Sequence, residues 1–313
     1  MVKPALAASR AVRVLDYLSL HPGQPRSLTE IANALEVSAA SMLAVLGALT
    51  DAGYLVRHPA HKTYVIGPAL VAVGHAAMTQ HPLLPAAQHE LELVADAIEA
   101  QCASSVVMGS DLVAVAVAGR PRRVVTWTRI GSRVPFGPPF GAPFAAFGSD
   151  ADRRRWLSAR VGGSDMLDAQ LVDALAVVRE RGYAAGREDE VRERLGRALS
   201  ALGDEPANER LRSEVQDLLG QQCESFVVVN SNKRGTEPLD VSHVTVPVFA
   251  PSGGVVMILT AGGFPQRLNG AAIEEVAASL QASAEVIAAQ AFGPAPLSSS
   301  RSRVARPRKS SSR

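Results

Sequence analysis

The sequence predicts an α+β protein built from two domains, and three observations support this. Residues 8–67 have the helical spacing of apolar side chains first and then two short β-rich runs. After about residue 100 the apolar spacing changes to that of short Val-rich strands, such as LVAVAVAG and HVTVPVF. Finally, 313 residues with 47% hydrophobic and 20% charged residues are too many for one ordinary core and suit two.

The N-terminal segment predicts three helices with recognisable ends. RAVRVLDYLSL is amphipathic and stops at the HPGQP break. Ser27 and Glu30 have the spacing of a capping box for the helix LTEIANAL. Ser38 can cap a third helix, and Gly53 suits the left-handed position after its end. These signals fix the start of the second helix and both ends of the third.

Two β-rich runs, YLVR and KTYVIG, follow around the turn HPAH. Three helices, the second short and capped, followed by a basic hairpin are the ordered set of a winged helix-turn-helix. We therefore expect a winged helix-turn-helix DNA-binding domain at 8–67.

The rest of the chain predicts a linker and a second domain. Residues 68–81 read as a linker helix, and residues 82–292 alternate helices with strands, as domains that hold small ligands often do. RVVTWTRI and SFVVVN are among the predicted strands, and HVTVPVFAPSGGVVMILTAGG reads as a hairpin. Residues 293–313 are rich in Ser, Arg and Pro, which is typical of a disordered basic tail.

Charge and composition exclude several classes of function. The net charge of +2 hides a mildly basic head, an acidic body and a tail with six Lys or Arg and no acid, which is a weak sign of a polyanionic partner. Two cysteines make neither a disulfide framework nor a four-cysteine zinc site, and the histidines lack metal-ligand spacing. No catalytic motif or cofactor fingerprint is present, so we expect no enzyme, metal or cofactor. Without a signal peptide or a long apolar span, we expect a cytoplasmic protein with no membrane partner.

The sequence resembles the isocitrate-lyase-regulator (IclR) family of bacterial transcription regulators over about residues 8–292. The resemblance rests on SRAVRVLDYL, LTEIANAL, ALTDAGYLVR, TYVIGPALVAVGHAA, GSRVPFGPPFGAPFAAFG, RERGYAAG and VTVPVFAPSGGVVMILTAGGFP. It implies a GAF-like α/β effector-binding domain, a homodimer or tetramer, operator DNA as partner, and a small, often acidic or aromatic, effector. A repressor role is the expectation for such a regulator.

The candidate DNA-binding residues lie on the second and third helices and on the hairpin. They are Arg26, Thr29, Ser38, Ala39, Ala40, Ser41, Met42, Arg57, His58, His61 and Lys62. The serines offer hydrogen bonds, Ala39, Ala40 and Met42 suit thymine methyl groups, and the cations, with Arg10 and Arg13, suit phosphates.

The third helix departs from the family pattern, because the expected arginine position is Ala44 and its neighbour is Leu43. No basic residue lies between Arg26 and Arg57. An alternative is therefore a sensory or protein-interaction module whose winged helix no longer reads DNA specifically.

The candidate effector-binding residues are Phe136, Phe140, His243, Thr260 and Gly262. By the resemblance, His243 lies on a strand that lines the effector pocket, with Thr260 and Gly262 on the next strand. The phenylalanines of the Pro/Gly-rich loop suit either an apolar cavity or the core, and a strand histidine is equally a hydrogen-bonded core residue.

Overall fold

The computed structural model describes residues 5–121, 128–161, 165–224 and 237–293. The predicted strand SFVVVN, most of RVVTWTRI and the basic tail lie outside these described residues. Two parts of the described chain, a head up to Gly67 and a body from Pro82 onward, are joined by a helix.

The head contains three helices and a small antiparallel sheet in the order β1-β3-β2. Its elements are α1 (Leu6–Ser19), β1 (Arg26–Ser27), α2 (Leu28–Ala34), α3 (Ala39–Asp51), β2 (Leu55–Arg57) and β3 (Thr63–Ile66). The predicted order of helices and hairpin is confirmed. Strand β1 was not predicted, because two residues carry no periodic signal and pair only with the distant Thr63 and Tyr64.

The predicted helix ends of the head are confirmed atom by atom. The Ser27 hydroxyl accepts a hydrogen bond from the Glu30 amide, and the Glu30 carboxylate accepts one from the Ser27 amide at 2.7 Å. The Ser38 hydroxyl accepts from the Ser41 amide at the start of α3. Gly53 follows the end of α3 with φ +74°, the left-handed conformation that glycine adopts without strain.

Helix α4 (Ala69–Gln80) connects head and body, and none of its residues is buried. Its exposed apolar side chains include Val71, which is 73% exposed, as well as Val73 and Met78. Within the described chain, only Ala69, Leu70 and Ala77 of α4 are half-buried, and the rest of its surface is exposed.

The body is one six-stranded antiparallel sheet, in the order β6-β5-β4-β9-β8-β7, with helices around it. Its strands are β4 (Gln101–Met108), β5 (Asp111–Ala118), β6 (Arg133–Pro135), β7 (Ala184–Arg187), β8 (Val241–Phe249) and β9 (Val255–Gly262). Its helices are α5 (Leu83–Ile98), α6 (Ala142–Phe147), α7 (Asp150–Ser158), α8 (Asp165–Arg181), α9 (Glu190–Asp204), α10 (Glu209–Glu224) and α11 (Gly270–Phe292). The predicted hairpin over β8 and β9 is confirmed, and the fold class is α+β, a curled sheet with helices.

The two faces of this sheet differ because side chains alternate along each strand. Val244, Val246 and Leu259 point to one face and pack with α5 and α11 in the main core of the body. The residues between them, such as Thr245 and Thr260, point to the other face and line a cavity. The sheet thus has a filled face and a cavity face.

In the part of the chain that the structure describes, no single helix has the length and apolar content to cross a membrane. The bent pair α2 and α3 passes that test only when the two are taken together. Its large apolar residues Ile31, Met42 and Leu46 are buried in the core of the head.

Candidate nucleic-acid interface and ligand cavity

The exposed side of helix α3 carries mainly small apolar side chains, and its other side is packed in the core of the head. Val45 and Leu46 are buried against α1 and α2, while Ala39, Ala40 and Ala44 are exposed. Ser38 and Ser41 lie at its N-terminal end, where their hydroxyl groups are 3.1 Å apart. The first turn of a helix in this position is the part that reaches base edges in the major groove.

Met42 is fully buried, with 0% of its surface exposed, and is therefore not available as a base contact. The prediction of a thymine methyl contact from Met42 is wrong because its spacing with Val45 and Leu46 places it on the core side of α3. Leu43 is 53% exposed on the opposite side and is the large apolar side chain that α3 offers to solvent. Reasoning from the sequence missed Leu43 as a candidate contact, although helical spacing alone separates it from Met42.

The hairpin turn between β2 and β3 exposes Arg57, His58, His61 and Lys62 together. The His58 Nδ1 accepts hydrogen bonds from the amides of Ala60 and His61, so this ring closes the turn rather than extending from it. The imidazole rings of His58 and His61 stack at 4.5 Å. Arg57 and Lys62 remain as the two permanent cations of the wing.

The remaining head candidates fall into two groups. Thr29 is exposed on α2, and Arg26 lies half-buried beside it, with one guanidinium nitrogen donating to Gln24 at 2.8 Å. Arg13 instead donates to the Leu35 carbonyl oxygen at 2.9 Å and lines the cavity described next. Arg26 and Thr29 thus lie together at the start of α2, and Arg26 also lies 3.8 Å from the Glu30 carboxylate, whereas Arg13 faces the cavity.

A cavity of about 620 Å³ lies on the cavity face of the body sheet. This volume is in the range of sites that enclose a small organic molecule. His243, Thr260, Gly262 and Phe140, four of the five predicted effector-binding residues, line it. Phe136 does not; it is 4% exposed and packs edge-on against Phe144 in a second core cluster, so the prediction for Phe136 is wrong.

The polar groups on the sheet side of the cavity come from neighbouring positions of β8 and β9. Thr245 pairs with Thr260 across the strands, and their hydroxyl oxygens are 3.0 Å apart. His243 pairs with Gly262, and the Ser242 hydroxyl lies 2.8 Å from the His243 Nδ1. Two cross-strand pairs therefore supply a short row of hydrogen-bonding groups.

Gly186 on β7 makes room for the His243 ring. A Cβ atom on Gly186 would lie 2.3 Å from the His243 Cε1, closer than any real contact. Gly186 was not predicted as part of the site, because its pairing with His243 depends on strand register. The imidazole thus occupies space that any side chain at position 186 would fill.

Burial and charge determine the electrostatics of the cavity. Burial, with a smaller contribution from the nearby Arg192 guanidinium, lowers the pKa of His243 to about 3, so this ring is neutral at physiological pH. Burial also lowers the pKa of Arg192 itself, against the opposing charges of Glu188 and Asp189. An arginine keeps its proton under such conditions, so the wall carries a fixed cation.

Arg192 lies over the ring of Phe140, with its Cζ 5.2 Å from the ring centroid. Both residues line the cavity, so a cation and an aromatic face lie side by side there. Arg192 had not been singled out from the sequence, because it sits among many charged residues of a helix that reads as solvated. An anionic group on a flat ligand matches this pair.

Glu188 lies next to this region, and its two carboxylate oxygens find no hydrogen-bond partner among the described residues. The pKa of Glu188 is raised to about 7, mainly by burial and to a smaller extent by the carboxylates of Asp189, Glu193 and Asp240, against the opposing effect of the Arg192 charge.

The described residues contain no cluster of three or more His, Cys, Asp or Glu side chains that could hold a metal ion. Cys102 and Cys223 are buried and form no disulfide, and burial raises the pKa of the Cys102 thiol to about 12. A thiol of this kind is not a nucleophile at neutral pH.

Comparisons with known proteins identify the head. The IclR helix-turn-helix domain matches residues 7–59. Among curated proteins, none matches the chain significantly.

Solved structures share the fold of the whole chain. An IclR transcriptional regulator from Alicyclobacillus acidocaldarius is 22% identical, with a TM-score of 0.64 over 92% of this chain and 100% of that one. The Thermotoga maritima IclR is 18% identical, with a TM-score of 0.57 over 92% and 98%. An IclR homolog from Microbacterium hydrocarbonoxydans, complexed with 4-hydroxybenzoate, is 18% identical, with a TM-score of 0.60 over 91% and 98%.

The match to a sequence family is limited to the head, whereas the similarity to solved structures extends over head and body. Residues 7–59 match the IclR helix-turn-helix domain, and 92% of the chain shares the fold of solved IclR transcriptional regulators.

Proposed function

We propose that this chain is a ligand-responsive transcription regulator of the IclR type, which binds operator DNA as a homodimer in the cytoplasm and acts as a repressor. The observation that carries the proposal is that one chain joins an exposed helix-turn-helix to a body whose largely apolar cavity carries a few polar groups and an arginine. The head supplies DNA binding, and the cavity supplies a place for an effector.

For DNA reading we propose hydrogen bonds from Ser38 and Ser41 and apolar contacts from Ala39, Ala40 and Leu43. Without an arginine on α3, the strongest base contact, a bidentate pair with guanine, is absent. The methyl group of thymine is the apolar feature of the major groove. Arg26, Arg57 and Lys62, with Thr29, His58 and His61 beside them, hold phosphates and orient the head.

For the effector we propose a small aromatic carboxylate. Arg192 supplies the cation, Phe140 the aromatic face, and Thr245 and Thr260 the hydrogen bonds for a second polar group. The relative from Microbacterium hydrocarbonoxydans was solved with 4-hydroxybenzoate, a molecule of this class.

For assembly we propose a homodimer through α4. Its apolar side chains, such as the 73% exposed Val71, have no cover within one chain. Val71 and Met78, seven residues apart, share one face of the helix, and exposed apolar surface of this kind is typical of an interface. A dimer presents two heads to two half-sites of an operator.

The test of DNA binding selects duplexes from a random pool with the purified full-length protein and measures their Kd against salt. We expect a selected duplex to bind at least a hundredfold more tightly than an unrelated one, with log K falling steeply as log salt rises. Equal and weak binding to both duplexes would contradict the proposal. It would favour a protein-interaction module instead.

The selected duplex also tests how bases are read. Replacing each half-site thymine in turn by deoxyuridine removes one methyl group and leaves the hydrogen-bonding groups. We expect at least one replacement to weaken binding about threefold, the value of a small apolar contact. Leu43→Ala should remove that sensitivity at its own position, and Leu93→Ala, an exposed body leucine, should not.

The test of the effector class is calorimetry with 4-hydroxybenzoate and with its neutral carboxamide. We expect the carboxylate to bind and the carboxamide to bind at least tenfold more weakly. In Arg192→Gln that preference should disappear, because the charge that distinguishes the two molecules is gone. Equal binding of both molecules by the unmodified protein would contradict an anionic effector.

A further inference from the structure

The cavity has a wall that belongs to the DNA-binding head. Besides the body residues, its lining includes Tyr17 of α1, Leu20 directly after α1, and Leu35 at the end of α2. Arg13 also lines it, held by the Leu35 carbonyl. A molecule that fills this cavity therefore touches both parts of the chain.

Specific polar contacts join the head to the body at this wall. His21, in the turn after α1, is 3% exposed, and its Nε2 lies 2.7 Å from the Asp204 carboxylate at the end of α9. Its Nδ1 lies 2.6 Å from the Tyr17 carbonyl oxygen, to which it donates. A charged side chain of the body is thus paired with a buried ring of the head.

Two body arginines complete the contact. The Arg129 guanidinium donates to the Leu20 carbonyl oxygen at 3.1 Å. The Arg133 guanidinium lies 3.7 Å from the Asp16 carboxylate and 3.6 Å from that of Asp111, so it links α1 to β5.

The alternative route from cavity to head is the linker helix, but α4 buries none of its residues within the chain. Helix α9 is different: Arg192 lies in its first turn at the cavity, and Asp204 at its last residue contacts the head. One rigid helix therefore connects the cation of the cavity with the head.

We propose that the DNA-binding head forms one wall of the effector cavity of its own chain, so that a ligand holds the head through α1 and α9 directly. This inference rests on the proposed function of the cavity. The recognition surface of α3, including Leu43 and Ala40, stays exposed in this arrangement, so the held head keeps its DNA-reading side free. A ligand that contacts both walls favours the held position, because it loses contacts when they part.

The contact can be tested without any ligand by a disulfide between head and body. A Cβ atom on Gly131 would lie 3.7 Å from the Ser19 Oγ, within reach of a disulfide when both residues are cysteine. Cys102 and Cys223 are buried and do not compete. The full-length protein is made with Ser19→Cys and Gly131→Cys, oxidised mildly, and the intramolecular disulfide is followed by mass spectrometry.

The matched control pairs Ser19→Cys with Gly253→Cys. Gly253 has φ +86° and Gly131 has φ +87°, so the two glycines carry the same backbone strain when replaced. Gly253 lies in the turn between β8 and β9, with nothing within 4 Å of its Cβ position. We expect the Gly131 pair to close in most molecules and the control pair in almost none.

A third variant adds Asp204→Ala to the Gly131 pair. Asp204 is 58% exposed and lies at the C-terminal end of a helix, where a carboxylate is unfavourable, so its removal leaves the body folded. We expect the disulfide to form about fivefold more slowly. Asp217→Ala, an exposed acid of α10, should leave the rate unchanged.

Saturating 4-hydroxybenzoate should speed closure of the Gly131 pair at least threefold. Failure of that pair to close in folded protein would overturn the proposal and leave the proposed function standing. An unchanged closure rate with calorimetrically bound 4-hydroxybenzoate would overturn the coupling. If calorimetry shows no binding of 4-hydroxybenzoate, the effector class of the proposed function is contradicted. Formation of the disulfide without ligand still tests the contact between head and body.

Discussion

Glu188 is the residue whose charge conflicts most directly with its place in the fold. Burial raises its pKa to about 7, above the value of about 4.3 in an unfolded chain. The folded chain therefore binds this proton more tightly than the unfolded chain does. The contribution of proton binding to the free energy of unfolding is complete below about pH 4 and is lost as the pH rises through 7.

We predict that Glu188→Gln removes this pH dependence. Between pH 5 and pH 8 the unmodified protein should lose about 1–2 kcal/mol of unfolding free energy relative to the variant, a figure reduced for partial solvent exposure. Urea unfolding at both pH values measures the difference. Glu214→Gln, at an exposed site on α10, should lose as much unfolding free energy between pH 5 and pH 8 as the unmodified protein does. Equal losses in Glu188→Gln and Glu214→Gln would contradict the prediction.

Gly186 permits a second prediction at the residue scale. Because a Cβ atom there would overlap the His243 ring, Gly186→Ala should displace the imidazole. We expect binding of 4-hydroxybenzoate to weaken about tenfold. Calorimetry measures the affinity, and circular dichroism checks the fold.

Gly220→Ala on α10 is the matched control, because its Cβ position makes only ordinary contacts, the nearest at 3.5 Å. It should bind 4-hydroxybenzoate as the unmodified protein does. An unchanged affinity in Gly186→Ala would show that the His243 ring is not part of the site.

Among the elements, α2 depends on its capping box more than a longer helix would. It has seven residues, so the pair Ser27 and Glu30 satisfies a large share of its free amides. We predict that Ser27→Ala lowers the unfolding free energy of the head by about 1 kcal/mol. Thermal unfolding checks this, with Ser213→Ala on α10 as the control, and an unchanged head transition would contradict it.

The elements also show which parts of the fold could be predicted from sequence. The box at Ser27, the cap at Ser38 and the left-handed Gly53 are local, since each is determined by residues three or four apart. The hairpin of β8 and β9 was predictable for the same reason. Strand β1 was not, because its pairing with β3 crosses two helices.

Strand alternation and the family resemblance could predict only part of the site. Thr260 and Gly262 are two residues apart on one face of β9, and His243, which the family resemblance indicated, pairs with Gly262 from β8; all three line one cavity. Phe136 lies in an irregular loop, where no periodic pattern indicates which side chains face the core. Arg192 could not be predicted because its partner Phe140 is about 50 residues away in the sequence. His21 reads as part of a turn, and nothing near it in sequence points to Asp204.

For the whole molecule, assembly is the property that follows from α4. We predict that Val71→Asp makes the protein monomeric, because a charge at this 73% exposed site cannot be buried in an apolar interface. Light scattering measures the mass. The affinity for a two-half-site duplex should fall about a hundredfold while that for a single half-site stays the same.

Val172→Asp is the control for this prediction, because Val172 is 44% exposed on α8 of the body. It should keep the mass and the two-half-site affinity of the unmodified protein. A Val71→Asp protein that remains dimeric would contradict the assignment of α4 as the interface.

The division of the body sheet into a filled face and a cavity face has a consequence for evolution. A smaller residue at Val246 or Leu259 leaves a void in the core and costs several kcal/mol, whereas a change at Thr245 or Thr260 alters the cavity and costs mainly the hydrogen bond between their two hydroxyl groups. Stability and ligand preference are therefore encoded by alternate residues of the same strands. Descendants of this chain can exchange one effector for another by single substitutions, without first acquiring a compensating stabilisation.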